Sequence, residues 1–307
     1  MTRRPQLALS GLRVVDAATL AAGPMVATAL GEYGADVIKV EQPLAGDPLR
    51  TWGARRRDIG LFWKSMSRNK SCVTIDFRHR DGQELLHALL DISDVLVVNS
   101  RPSALARWCL DYESIHARHP QLVMLHVTGF GGGGPASDRP GFGTLAEAMS
   151  GFAHVTGEPD GPPTLPPFFL ADGVAALSAT YAVMMALYHR DVHGGGGQLV
   201  DVSLVEPLAR LVETATLTYE QLAPSRNGPE TGSTPALPAT RTERSTASGS
   251  RSPQRHRTSR RASSVRSADR ISRLARTTST RSRARPAAAR STSSWPRGSA
   301  SGPSTMR

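Results

Sequence analysis

Runs of Val, Ile and Leu alternate with segments of helical period through the first two hundred residues. "LRVVDAA" (12–18), "DVIKVE" (36–41), "CVTIDF" (72–77), "DVLVVN" (94–99), "LVMLHVTGF" (122–130) and "LVDVSL" (199–204) are short, β-rich and apolar almost without interruption. Between them, "GPMVATALGEYGA" (23–35, closed by Gly34) and "DGQELLHALLDI" (81–92) show helical spacing. "SALARW" and "YESIHARH" predict two short helices, residues from roughly 173 to 190 a long one, and "VEPLARLVETATLTYEQL" a last one. Strands with no polar alternation are buried on both faces, so the pattern predicts a Rossmann-like parallel sheet covered by helices on each side. Ligands of such sheets sit at the carboxyl ends of the strands.

After about residue 224 the pattern stops. Residues 251–307 hold fifteen Arg, no Lys and one acid, Asp269, a charge of +14. The whole chain carries +11, which leaves −3 for residues 1–250. The basic character therefore belongs to the tail, and the body is an ordinary, slightly acidic chain. The predicted organisation is an incomplete large-domain portion over 1–224 and an Arg/Ser/Pro-rich segment over 225–307, too charged and too poor in apolar residues to bury a core. Three readings of that segment stand: the product of a GC-rich coding sequence read out of frame, a solvated tail, or a polyanion-binding arm. The lack of Lys, and of aromatics other than Trp295, speaks against selected nucleic-acid binding.

Cys72 and Cys109 match no metal-ligand or disulfide spacing and read as small buried hydrophobes. The N-terminus lacks the apolar stretch of a signal peptide, and the apolar run at 173–188 is shorter than a bilayer span, so the expectation is a cytoplasmic chain with no membrane association. Gly129, Gly131 and Gly134 spell G-x-G-x-x-G, but the residues that follow turn rather than wind, which removes the main reason to expect NAD. His126, His154 and His189 read as structural or surface residues, and no metal site is expected.

Asp172, in "FFLADGVAAL", stands between an apolar run and the long helix. Two roles compete for it. A carboxylate directly before a helix accepts backbone N–H bonds as an N-cap. The same position suits a nucleophile, because N–H donors keep a carboxylate ionised and can steady a developing oxyanion.

Four blocks in order, "LSGLRVVDAATLAAGPMVATALGEYGADVIKVEQPLAGDPLR", "SMSRNKSCVTIDFRHRDGQELLHALLDISDVLVVNSRPSALARW", "VTGFGGGGPASDRPGFGTLAEAMSG" and "FFLADGVAALSATYAVMMALYHRDVHGGGGQLVDVSLVE", closely resemble the class III (CaiB/BaiF) CoA-transferases. That family includes formyl-CoA and carnitine CoA-transferases and α-methylacyl-CoA racemase, and the resemblance covers about residues 10–215. It implies that Asp172 is both cap and nucleophile, attacking an acyl-CoA thioester and passing CoA to a carboxylic acid through aspartyl anhydride and aspartyl-CoA intermediates. No metal or NAD is implied. It also implies CoA contacts: Ala22, Gly23 and Pro24 in a loop beside the thioester, and Arg68, Lys70, Asn99 and Arg101 toward the nucleotide portion. The family racemases carry a His where this chain has Phe142, so transfer is expected over racemisation, which needs a second acid/base. A racemase-like enzyme and an inactive fragment with a polyanion-binding tail are the alternatives. Full-length relatives imply a homodimer.

Overall fold

The computed structural model describes residues 7–157 and 161–222. The segment after residue 222, and with it every reading of the basic tail and the boundary at 224, lies outside the described residues.

In chain order the elements are β1 (Arg13–Asp16), α1 (Ala22–Glu32), β2 (Asp36–Glu41), a 3-10 turn (Pro48–Arg50) and the two-residue strands β3 (Arg55–Arg56) and β4 (Ile59–Gly60). There follow α2 (Leu61–Met66), β5 (Lys70–Thr74), α3 (Arg80–Leu90), β6 (Val95–Val98), α4 (Pro102–Arg107), α5 (Tyr112–Arg118) and β7 (Val123–Thr128). The described chain closes with α6 (Gly143–Met149), α7 (Leu170–His193), β8 (Leu199–Ser203), α8 (Val205–Leu211) and α9 (Glu213–Leu222).

Six strands form one sheet in the order β5-β2-β1-β6-β7-β8. Every pairing in it is parallel, as in β1 on β2 (Val14 opposite Val37) and β6 on β7 (Leu96 opposite Met124). The apolar runs are continuous because both faces are covered. Val14, Val97, Leu125 and Val202 point into one core with α1 and α7. Val15, Leu96, Val98 and Met124 point into the other with Leu86 and Leu90 of α3 and Ile115 of α5.

Strand order reverses between β1 and β6, whose next neighbours lie on opposite sides, and the loops after those two strands flank the crevice where such sheets bind ligands. Asn99 spans it: its amide donates to the Thr19 carbonyl (2.7 Å) and accepts from the Thr19 N–H (2.9 Å).

Several local expectations change. The last predicted helix is broken at Val212 into α8 and α9. Both cysteines are exposed rather than buried. At 24 residues, α7 is long and apolar enough to cross a membrane by length and composition, contrary to the estimate from residues 173–188. Here its Ala171, Ala175, Ala179, Val183 and Ala186 stripe is buried in the first core. Alanines bring the helix axis close to the sheet, so α7 serves as a central packing layer.

The second core holds a polar exception. His87 Nδ1 and His119 Nε2 are 2.8 Å apart with rings stacked, and His119 Nδ1 lies 3.3 Å from Asp91. Burial pushes both imidazoles below their ordinary pKa; Arg118 pushes in the same direction, while Asp91 opposes it. Arg118 is itself paired with Glu84 at 3.0 Å. A histidine depressed in the folded state favours folding fully above its unfolded value of about 6.5, and that contribution is lost as pH falls toward the folded value. The melting temperature of this chain should therefore drop as pH is lowered from 7 to 5, before the carboxylates titrate. His119→Phe should flatten that slope in a thermal-melt series, whatever it does to the melting temperature at pH 8. An unchanged slope would assign the acid sensitivity elsewhere.

Candidate active site

Three helix beginnings meet at one carboxylate. Asp172 is the third residue of α7, Ala22 the first of α1 and Gly143 the first of α6. The Ala22 N–H, unpaired within its helix, lies against the Asp172 carboxylate and favours the ionised form. Gly143 also lies against it: a Cβ there would stand 2.5 Å from Asp172 Oδ2, so only a glycine leaves room for the carboxylate. Its backbone is not in the left-handed region, and the requirement is one of space.

The capping role expected of Asp172 belongs to other residues. The N-cap position is Phe169, which makes no side-chain cap bond. The Ala171 N–H in the first turn donates instead to Glu147 Oε1 (3.2 Å), from a side chain of α6 that is 2 % exposed. Glu147 thus supplies the acceptor across the α6–α7 contact and frees Asp172 to point at Ala22 and Gly143.

Burial pushes the Asp172 carboxyl above its ordinary value; the Ala22 N–H opposes this, and the nearby charge of Glu147 adds to the rise. The result is a half-buried, poorly solvated carboxylate facing N–H donors. Such a group can act as a nucleophile toward an activated acyl carbon.

The other predicted contacts divide. Ala22 lies against Asp172; with Gly23 and Pro24 it forms the opening turn of α1 rather than a loop, and all three are buried. Gly23 is required by packing: a Cβ would approach Ala18 Cβ to 2.6 Å and Val97 to 3.3 Å. Asn99 stands at the switch point, clasping Thr19. Arg101 is exposed at the N-cap position of α4, and its charge acts on Asp138.

Arg68 is exposed and pairs with Glu32, at the far end of α1, about 15 Å along the helix from Ala22. Lys70 departs most from its expected role. Its side chain is 1 % exposed, and Nζ is committed to Asp16 Oδ2 (2.8 Å) and the Pro24 carbonyl (2.7 Å). An ammonium enclosed in this way is not a surface ligand for phosphate.

Phe142 is 61 % exposed beside Gly143 and carries no titratable group to the site. The Gly129–Gly134 stretch opens no helix. Its Gly131 and Gly132 N–H groups are taken by Thr128 and Asp201, and Gly129 packs face to face with Gly141. His126 bonds the Ser100 carbonyl at 2.8 Å. His189 and His193 do stand four residues apart, a spacing the histidine reading passed over, with ring centroids separated by 6.2 Å. Among the described residues no group of three His, Cys, Asp or Glu is placed to hold a metal ion.

Sequence reasoning missed Glu147, Gly143 and an aromatic trio at the start of α7. Phe169 contacts Trp52 and Phe62 with ring centroids at 5.4 and 5.1 Å. Glu147 and Gly143 lie within the quoted third block, where an unread helix over "GTLAEAM" was the available signal. Nothing in the spacing of positions 52, 62 and 169 could have joined the aromatics.

The model of CoA-transferase family III matches residues 9–244, beyond the resemblance over about residues 10–215. The chain is 40% identical over 220 residues to a succinyl-CoA–D-citramalate CoA-transferase of Chloroflexus aurantiacus, covering 71% of this chain and 54% of that protein. It is 43% identical over 215 residues to the beta subunit of a succinyl-CoA–L-malate CoA-transferase of the same organism, covering 69% and 53%. Among solved structures, a CaiB/BaiF family protein from Brucella suis superposes with a TM-score of 0.66 at 35% identity, covering 70% of this chain and 58% of that one. The chain thus spans about half the length of the curated relatives it matches. With its six-stranded parallel sheet and the site at its carboxyl edge, this chain belongs to CoA-transferase family III.

Proposed function

We propose that this chain carries the nucleophile of an acyl-CoA:carboxylate CoA-transferase, and that Asp172 is that nucleophile. The observation that carries the reading is the placement of a half-buried carboxylate against the free N–H of α1, with Gly143 leaving it room. An Asp172 oxygen attacks the thioester carbonyl, the C–S bond breaks, and CoA thiolate leaves an acyl-aspartyl anhydride. The thiolate then attacks the Asp172 carbonyl carbon, releasing the donor carboxylate and forming aspartyl-CoA. The acceptor acid reverses the two steps: its carboxylate displaces the thiolate, which then takes the acceptor acyl group. Each step exchanges one acyl bond for another of similar energy, so neither a net proton nor an electron is required. The N–H of Ala22 is placed to steady charge as it forms on the Asp172 oxygens.

The relatives' names join succinyl-CoA to citramalate, malate and glutarate, which supports a dicarboxylic donor and acceptor for this site. Exposed Arg68 and Arg101 are the candidates to pair with CoA phosphates, whereas Lys70 is not. The exposed, non-titratable Phe142 favours transfer over racemisation.

In the chain joined to the remainder of a family-length enzyme, Asp172→Ala should abolish transfer from succinyl-CoA, with a loss of at least about a thousandfold in kcat. Hydroxylamine added during turnover should convert Asp172, and no other carboxylate, to the hydroxamate in a peptide mass map. Transfer that survives in Asp172→Ala overturns the assignment. Gly143→Ala should lower kcat by about a hundredfold while the fold is kept, because the methyl displaces the reacting oxygen by roughly an ångström. A Gly143→Ala variant with parental kcat would show that the site tolerates a Cβ there.

A further inference from the structure

The loop joining β1 to α1 is held by a buried charge cluster that the proposed reaction does not use. Asp16 closes β1 with no exposed surface, and its neighbour Lys39 on β2 is 1 % exposed. Asp16 Oδ2 meets Lys70 Nζ at 2.8 Å, and Asp16 Oδ1 lies 3.7 Å from Lys39 Nζ and accepts the Ala18 N–H at 3.2 Å. Lys39 Nζ donates to the Ala18 carbonyl and lies 3.1 Å from Asp47 Oδ2, an ionic contact with no hydrogen bond aligned to that oxygen. Asp47 Oδ1 accepts the Leu20 N–H at 3.3 Å, and Lys70 donates to the Pro24 carbonyl at 2.7 Å.

The consequences converge on one atom. Along residues 18–24 the cluster takes the Ala18 N–H and carbonyl, the Leu20 N–H and the Pro24 carbonyl, and Asn99 takes both polar groups of Thr19. Leu20 is held at φ 65°, in the left-handed region that a leucine adopts only when its surroundings impose it. The Ala22 N–H is left free, and it is the group that faces Asp172.

We infer that Asp16, Lys39, Asp47 and Lys70 form a positioning device that fixes the β1–α1 loop so that the Ala22 N–H is presented to the Asp172 carboxylate. Four charges away from water are costly to assemble, and they are tolerated where paired and hydrogen-bonded. Here the bonds they make beyond their own pairing are all to backbone of this loop or to the turn that follows Asp47. Neutralising one lysine should release the loop. Among the charged groups of the described residues only Glu147 acts directly on Asp172, so a change at Lys70 reaches Asp172 through backbone position rather than through charge.

The functional meaning of the device rests on the nucleophile proposed above; the positioning itself does not. The test therefore reads Asp172 rather than turnover. The full chain, labelled with 13C at aspartate carboxyls, is titrated by NMR, with Asp172→Asn used to assign the signal. Lys70→Met should move the Asp172 midpoint upward by about one pH unit, the equivalent of losing one hydrogen bond to a charged group. Asn99→Ala, which changes no charge but removes the Thr19 clasp, should move it in the same direction by a smaller amount. Lys70→Arg should stay near the parent value. A folded Lys70→Met with an unmoved midpoint overturns the inference, as does a shift in Lys70→Met with none in Asn99→Ala, which would make the effect electrostatic. If Lys70→Met does not fold, Asn99→Ala decides alone. The Lys70→Met shift, found together with transfer that survives Asp172→Ala in the chain joined to the remainder of a family-length enzyme, would remove the nucleophile reading and leave the positioning standing.

Discussion

Charge buried beside the central strand is the constraint around which this site is arranged. Asp16 and Asp47 face Lys39 and Lys70 with all four side chains at most 1 % exposed, so the group is balanced in sign and nearly closed to water. Removing one member of such a set leaves an uncompensated buried charge and costs about 3–5 kcal/mol, a large fraction of a domain's stability. The parallel register explains how the set forms. Asp16 lies opposite Lys39, and Lys70 enters from the next strand, so three adjacent strands bring their side chains to one point beneath the start of α1. Glu41 extends the same row outward. It is held ionised by Arg50 against the effect of its own burial, and Arg50 stacks on Trp63 at 3.9 Å.

Small residues carry the arrangement from that cluster to the carboxylate. Gly23 lets α1 sit on Ala18 and Val97, and the buried alanines of α7 let that helix lie close over the same core. The gain comes less from apolar area, since an alanine buries little, than from bringing helix ends within bonding distance. Gly143 completes the set. A methyl at either glycine, or a larger side chain at one of the alanines, would shift a helix by a fraction of an ångström, and the N–H and carboxylate that meet at Ala22 and Asp172 sit where such a shift is felt.

Much of the fold was legible because burial on both faces writes itself into every position of a strand. β2 was read to the residue, and β1, β6, β7 and β8 to within three at either end. The exception is instructive: β5 was read at 72–77 from its apolar letters but runs over Lys70–Thr74. Ile75 and Phe77 lie past its end and pack against the second core, whereas the strand begins on a lysine whose ammonium is buried. Local rules treat a lysine in "RNK" as solvated charge, and only the pairing of distant strands shows it facing Asp16. The cap assigned to Asp172 failed for a related reason. An acid before an Ala-rich helix is a good cap by local pattern, but the helix starts two residues earlier and Glu147, 25 residues upstream, supplies the acceptor. The short, Gly-led α6 that carries Glu147 is legible only in the seven-residue run "GTLAEAM".

What distinguishes Asp172 from an ordinary helix-start acid is the opposition of the influences on it. Burial and the charge of Glu147 push toward the neutral acid, while the Ala22 N–H pulls toward the carboxylate. A carboxylate held mainly by N–H bonds would be ionised and weakly reactive, since strong donors lower the energy of the charge that must be given up in attack. A buried one with no donor would be protonated and equally unreactive. The balance requires donors of fixed position, here the N–H groups of Ala22 and of Asp172 itself, rather than mobile ones. The first residue of a helix supplies one, because its N–H has no partner within the helix, yet its direction is set by every residue that follows. The loop leading into α1 must then be as rigid as the helix itself. In this chain that rigidity comes from charges that never reach the carboxylate they serve.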